Sequence, residues 1–184
     1  MLATEFLHGQ GLGNQLFCYV TTRMLAHRHG YDFGIKGLKS AGDSRVNQKG
    51  FYFMDLDYGK EVPDDLERYD EYRHALKTDE WLRTDIRLTD KTLLNIPDNR
   101  IIYGNMQSED YFYDRLDLVK EWLKVREEYD HMDTNDKNLC VLNFRGGDMI
   151  GNPGAYVPRV YWTNAIQKML EYNPKMEFCI VTDD

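Results

Sequence analysis

Gly9-Gln10-Gly11-Leu12-Gly13-Asn14-Gln15 lies between a short apolar stretch, Leu2 to His8, and a long amphipathic one, Asn14 to His29. The first reads as a strand and the second as a helix. Leu16, Val20 and Met24 fall on one helical face, with Phe17 and Leu25 alongside. His27, Arg28 and His29 followed by Gly30 make a C-terminal stop. A strand-to-helix seam this rich in glycine lets the backbone approach a ligand, and its free N–H groups sit at the positive end of the helix dipole. It is a place to hold an anion, most often a phosphate. Strand, glycine turn and helix in this order set the fold class as α/β.

The rest of the composition bounds what such a site serves. With 184 residues, 42% of them hydrophobic, the chain can bury one ordinary core or two small ones. No run approaches the ~18 apolar residues of a membrane span, and the N-terminus lacks a basic-then-apolar signal. A soluble, cytoplasmic protein is expected. Cys18, Cys140 and Cys179 are odd in number and widely spaced, which predicts reduced thiols and neither a disulfide framework nor a zinc site. A net charge of −8 argues against a general nucleic-acid surface, which needs a basic face. An anionic ligand therefore needs a local cation.

Residues 34–50 are polar and glycine-rich and read as a loop. Phe51 to Tyr58 reads as an aromatic strand, and Asp64 to Asn95 as exposed helices. Ile101 to Tyr103 is a brief strand, followed by a helix from Tyr111 to Tyr129 striped by Phe112, Leu116, Val119 and Leu123. The polar run Tyr129 to Asn138 is the best linker, which divides the chain into a unit over 1–130, a linker over 131–138 and a unit over 139–184. In the second unit Leu139 to Phe144 is a nearly continuous apolar strand ending in Arg145-Gly146-Gly147-Asp148. A helix opened by Pro158 and stopped near Asn173-Pro174 follows, then a strand from Met176 to Val181. One strand–helix–strand unit implies a parallel pair, and parallel sheets need cover on both faces. The second unit therefore reads as unfinished, the start of a longer domain.

Taken singly, the motifs are weak. Gly9, Gly11 and Gly13 give G-x-G-x-G, which is not the dinucleotide fingerprint and lacks the Lys-Ser/Thr of an NTPase loop; the turn also serves as a plain tight connection. Arg145 to Asp148 places a guanidinium at the carboxyl edge of a strand, where ligands bind in such sheets, and an Arg145–Asp148 ion pair is the simpler alternative. Asp55-Leu56-Asp57 has the Asp-x-Asp pattern of metal-dependent sugar transferases, but without preceding nucleotide-binding strands it reads as a strand with acidic edges. His27 and His29 are helix-dipole partners. Trp81, Trp122 and Trp162 read as core.

The order of the pieces says more. Gly-Leu-Gly-Asn-Gln-Leu-Phe-Cys-Tyr at Gly11 to Tyr19, Tyr-Gly-Asn-Met-Gln-Ser-Glu-Asp-Tyr-Phe at Tyr103 to Phe112, the strand and Arg-x-Gly-Asp of Val141 to Asp148, and the stretch Val160 to Asp184 together resemble the α-1,2-fucosyltransferases of glycosyltransferase family 11. The resemblance implies two Rossmann-like units in a GT-B-like pair, the second truncated here, without the family's C-terminal donor-binding segment. It implies an inverting, metal-independent transfer of fucose from GDP-fucose to a glycan hydroxyl, with no cofactor. Arg145 would be the catalytic cation on the donor's β-phosphate, and Gly11, Gly13, Asn14, Gln15, Asn143, Asp148 and Asp183 would bind the donor. Two positions depart from the family: its histidine is Asn143 here and its second arginine is Gly146, which weakens the phosphate clamp. The competing reading is a degenerate or truncated half that binds glycan or nucleotide without turnover. A dinucleotide-dependent oxidoreductase is disfavoured by the glycine spacing. No general base is identifiable from sequence.

Overall fold

A computed structural model describes residues 1–41, 51–71, 89–130, 137–144 and 157–182. The chain divides into two compact units, Met1–Asp130 and His131–Asp184.

The first unit is built on a four-stranded parallel sheet: β1 (Leu2–Glu5), β2 (Phe33–Lys36), β3 (Glu67–Asp70) and β4 (Arg100–Tyr103), in the order β2-β1-β4-β3. The unit is mixed α/β and compatible with a Rossmann-like arrangement. Leu2 stands opposite Phe33 on one side and Arg100 on the other, so β1 and β4 are sheet neighbours although almost the whole unit separates them in sequence. Both are central. Leu2, Ala3, Thr4, Ile101 and Ile102 are buried, and the Thr4 hydroxyl donates to the Ile102 carbonyl at 2.9 Å. The edge strand β3 reads Glu-Arg-Tyr-Asp and is largely exposed. Such polarity suits an edge, because it discourages pairing with another chain.

Helix α1 (Leu12–His29) connects β1 to β2. Tyr19, Met24 and Leu25 join Leu2, Phe6, Ile35 and Ile102 in one apolar core. Gly30, at φ 70°, closes the helix by donating its N–H to the Ala26 and His27 carbonyls. Helix α2 (Leu116–Trp122) adds Leu118, Val119 and Trp122 against the same core.

Four expectations need correction. Phe33–Lys36 lies partly in the segment read as loop, yet pairs along β1; Gly34 hides the strand pattern, and its bare Cα admits the Lys60 carbonyl, which would lie 2.4 Å from an added Cβ. Phe51 to Tyr58 is not a strand. Residues 51–53 form a turn, Phe51 is buried while Tyr52 stays exposed, and among the described residues the segment's one bridge is the isolated pairing of Met54 with Val125. Within Asp64 to Asn95 the described residues form β3 and a 3-10 turn at Leu93–Asn95; residues 72–88, with Trp81, lie outside the description. The helix read over 111–129 is broken: short 3-10 turns at Glu109–Tyr111 and Tyr113–Arg115 precede α2, and Phe112 between them leaves helical geometry at φ −147°, ψ 3°.

In the second unit β5 (Leu139–Phe144) pairs in parallel with β6 (Glu177–Thr182), and α3 (Arg159–Tyr172) connects them. Phe144 stacks on Trp162 with ring centroids 4.2 Å apart. Asn173, at the end of α3, donates its side-chain amide to Asn138 Oδ1 at 2.9 Å, which ties the helix end to the start of β5.

Candidate functional site

The carboxyl ends of β1 and β4 lie side by side, and the chain leaves β1 towards β2, on the side away from β4. In open parallel sheets this edge is where ligands bind. Each of the two strands runs straight into one of the quoted motifs.

After β1, Gly9 adopts φ 77° and the Gln10 N–H donates to the Leu7 carbonyl at 3.1 Å, so the chain reverses tightly before the helix. Gly11 is the N-cap and has no side chain with which to cap. The helix therefore starts with its first N–H groups uncapped by any side chain and no acidic residue in its first turn. Gly11 and Gly13 are exposed, and nothing lies within 4 Å of where a Cβ would stand on either. That space leaves the backbone open to approach. Asn14 is half-buried; its Oδ1 accepts from the Gln107 amide at 2.5 Å. The bond fixes which end of the Asn14 amide is the acceptor and leaves its N–H₂ as a donor beside the helix start.

Gln15 has another part from the one expected. It is fully buried, and its amide donates to the Gln10 carbonyl at 3.1 Å and the Ser40 carbonyl at 2.8 Å. It is a brace that holds the glycine turn against the segment after β2, and its side chain offers no accessible surface to a ligand.

The turn after β4 is braced by a residue that the sequence reading missed. Glu71 follows β3, is 1% exposed, and accepts from the Met106 N–H at 2.8 Å and the Tyr111 hydroxyl at 3.1 Å. Gly104 packs on it so closely that an added Cβ would come within 2.5 Å of Glu71 Oε2. Tyr111 in turn accepts from the Asp90 N–H at 2.9 Å, and Asp90 accepts from the Tyr69 hydroxyl at 2.8 Å. Burial and the neighbouring carboxylates push the Tyr111 and Tyr69 hydroxyls up, Tyr69 to about 12, so both stay protonated donors.

Cys18 links the two turns. It is fully buried, accepts from the Gln10 amide at 3.4 Å and donates to the Gly104 carbonyl at 3.2 Å. Burial pushes its thiol up to about 12, so it is a neutral donor and not a nucleophile.

Asp55 and Asp57 are held by arginines: Asp55 pairs with Arg126 at 2.6 Å and Asp57 with Arg23 at 3.2 Å. Arg23 itself lies over the Trp122 ring at 4.4 Å. His29 Nε2 is 3.0 Å from the Leu94 carbonyl and His27 meets the Trp122 ring edge-on, so both histidines are bound up in packing. Among the described residues no group of three or more His, Cys, Asp or Glu side chains is placed to hold a metal ion, and no helix is long and apolar enough to cross a membrane.

Asn143 lies on β5 opposite Val181, exposed, on the face that alternates with Leu142 and Phe144. Arg145, Gly146, Asp148 and Asp183 lie outside the described residues. No family model matches the chain, and no curated protein or solved structure matches it either.

Proposed function

We propose that the chain belongs to a metal-independent, inverting glycosyltransferase that moves fucose from GDP-fucose to a glycan hydroxyl. The observation that carries this reading is the Asn14–Gln107 contact. It joins, at the carboxyl edge of a parallel sheet, the two motifs of the first unit that resemble the α-1,2-fucosyltransferases. Open backbone at Gly11 and Gly13, uncapped helix N–H groups and the Asn14 amide are neutral donors suited to an anionic leaving group. In this reading Arg145 supplies the charge. Its planar fork matches phosphate oxygens in a way that lysine does not.

The test is binding and transfer on the same protein: calorimetry with GDP and GDP-fucose, then fucosyl transfer to a panel of glycans, with and without EDTA. Binding of both nucleotides and EDTA-resistant transfer are expected. Arg145→Lys should lower turnover by about 10²–10³-fold, by analogy with the loss of one oxyanion-hole donor. Nucleotide binding without transfer would favour the non-catalytic reading. Activity lost in EDTA and restored by Mn²⁺ would move the charge to Asp55 and Asp57, and absence of nucleotide binding would overturn the proposal.

A further inference from the structure

Beside the segment that follows β2 the first unit has a hollow of about 450 Å³. Its lining includes Phe51, Tyr52 and Tyr58, the carboxylates of Asp55 and Asp57, and Arg126. Leu38 and Ala41 also line it, and between them Ser40 gives its carbonyl to the buried Gln15 amide. The hollow and the glycine turn are therefore built on opposite ends of one short brace.

We propose that this hollow binds a neutral, hydroxyl-rich ring, a sugar. The binding stands on the hollow itself; that the sugar is the transferase's acceptor rests on the reading above. The volume is at the small end of ligand sites and fits about one or two sugar rings. The aromatics supply flat apolar faces for the C–H side of a ring. Phe51 is buried as floor, while Tyr52, 48% exposed and set edge-on against Tyr129 at 5.2 Å, is a fixed wall at the rim. The carboxylates supply acceptors for hydroxyl groups. Asp55 and Asp57 are 80% and 60% exposed, yet each is held on one side, Asp55 by Arg126 and Asp57 by Arg23 and the Gly59 N–H at 2.9 Å. Acceptors pinned in this way lose little freedom when a hydroxyl arrives. Among the described residues the Tyr52 and Tyr58 hydroxyls have no hydrogen-bond partner and complete the polar rim.

Charge argues against the other ligand classes. Asp55 and Asp57 are matched by Arg126 and Arg23, so no net positive charge is left to hold a phosphate. Each carboxylate already faces a guanidinium, which opposes a metal cation. A ring that carries many hydroxyls and no charge matches what remains.

The experiment uses the whole chain, isotope-labelled, titrated in separate arms with lactose, maltose, inorganic phosphate and MgCl₂ and followed by NMR. At least one disaccharide should saturate in the millimolar range or tighter and shift the signals of residues 51–58. Tyr52→Ala and Asp55→Asn, both at exposed side chains, should each weaken that sugar about tenfold, the order expected for one charged hydrogen bond or one stacking face. Unchanged signals from Leu2 and Ile102 show that the variants keep the fold. No saturable shift with either sugar overturns the proposal. So does binding that both variants leave intact, or a response of residues 51–58 to phosphate or Mg²⁺ in place of sugar. GDP, which should act on residues 11–14, fails or succeeds separately in the same spectra.

Discussion

The two units use the same local device and end in different states. Each has a parallel pair of strands joined through a helix, but in the first unit Leu2 and Ile102 are 0% exposed, whereas in the second Ile180 is 63% and Val181 49% exposed. The difference is cover. In the first unit β1 and β4 have a strand on each side and a helix core against them. In the second α3 stacks on the Phe144 side of the sheet, and Leu142 and Met176 are its buried apolar residues among those described. Parallel pairing yields a core only where further elements close over both faces. The firmly built turns after β1 and β4 belong to the covered sheet.

The largest expected effect separates the units directly. Ile102→Ala should destabilise the first unit by about 2–5 kcal/mol, the usual cost of a cavity in a packed core, while Ile180→Ala should change stability by less than ~0.5 kcal/mol. Urea unfolding, followed by the signals of each unit separately, measures both. A comparable loss at Ile180 would show that the second sheet is covered after all.

A smaller effect tests the brace beneath the β4 turn. Glu71→Ala removes the acceptor of the Met106 N–H and the Tyr111 hydroxyl, and stranding buried donors costs about 1–3 kcal/mol. The melt of the first unit should drop by that much and Met106 should lose hydrogen-exchange protection. An unchanged exchange rate at Met106 would remove Glu71 from its role.

Alkali should weaken the first unit. The Cys18 thiol is raised from 9.0 to about 12 in the folded chain, so the native state holds this proton more tightly than the unfolded state. Its stabilising contribution is whole below about pH 9, where the unfolded thiol is still protonated, and is lost as pH rises towards 12. Tyr69, raised from 10.0 to about 12, acts in the same direction. The urea midpoint of the first unit should fall across this window, and Cys18→Ala should flatten part of the fall. The exposed Cys179 should react with a thiol reagent at neutral pH while Cys18 stays protected.

These particulars also show where the sequence speaks and where it is silent. Helix α1 was legible because Leu16, Val20 and Met24 keep a helical period and Gly30 ends it; β5 was legible because a continuous apolar run after a polar linker has few other readings. Strand β2 was not, since Gly34 interrupts its pattern and the gain comes from pairing with β1, a long-range contact. Phe51 to Tyr58 has the composition of a strand, but its aromatics are used in packing and in lining a hollow. Glu71 looks like any charged residue in a polar stretch, and only the fold turns it inward. Gln15 was read as a donor contact from the family resemblance; in the structure the step of one residue along the helix points Asn14 to the edge and Gln15 to the interior.

In the proposed function the backbone from Leu12 to Asn14, with the Asn14 amide, would receive the anionic part of a nucleotide. The most direct measurement is a titration of the isotope-labelled chain with GDP, following the backbone amides of Leu12, Gly13 and Asn14 and the side-chain amides of Asn14 and Gln107. Saturable shifts are expected at these groups, weakened at least several-fold by Asn14→Ala, with the buried Gln15 side chain little affected. Saturable GDP binding that leaves these amides unmoved, or no binding at all, would contradict it.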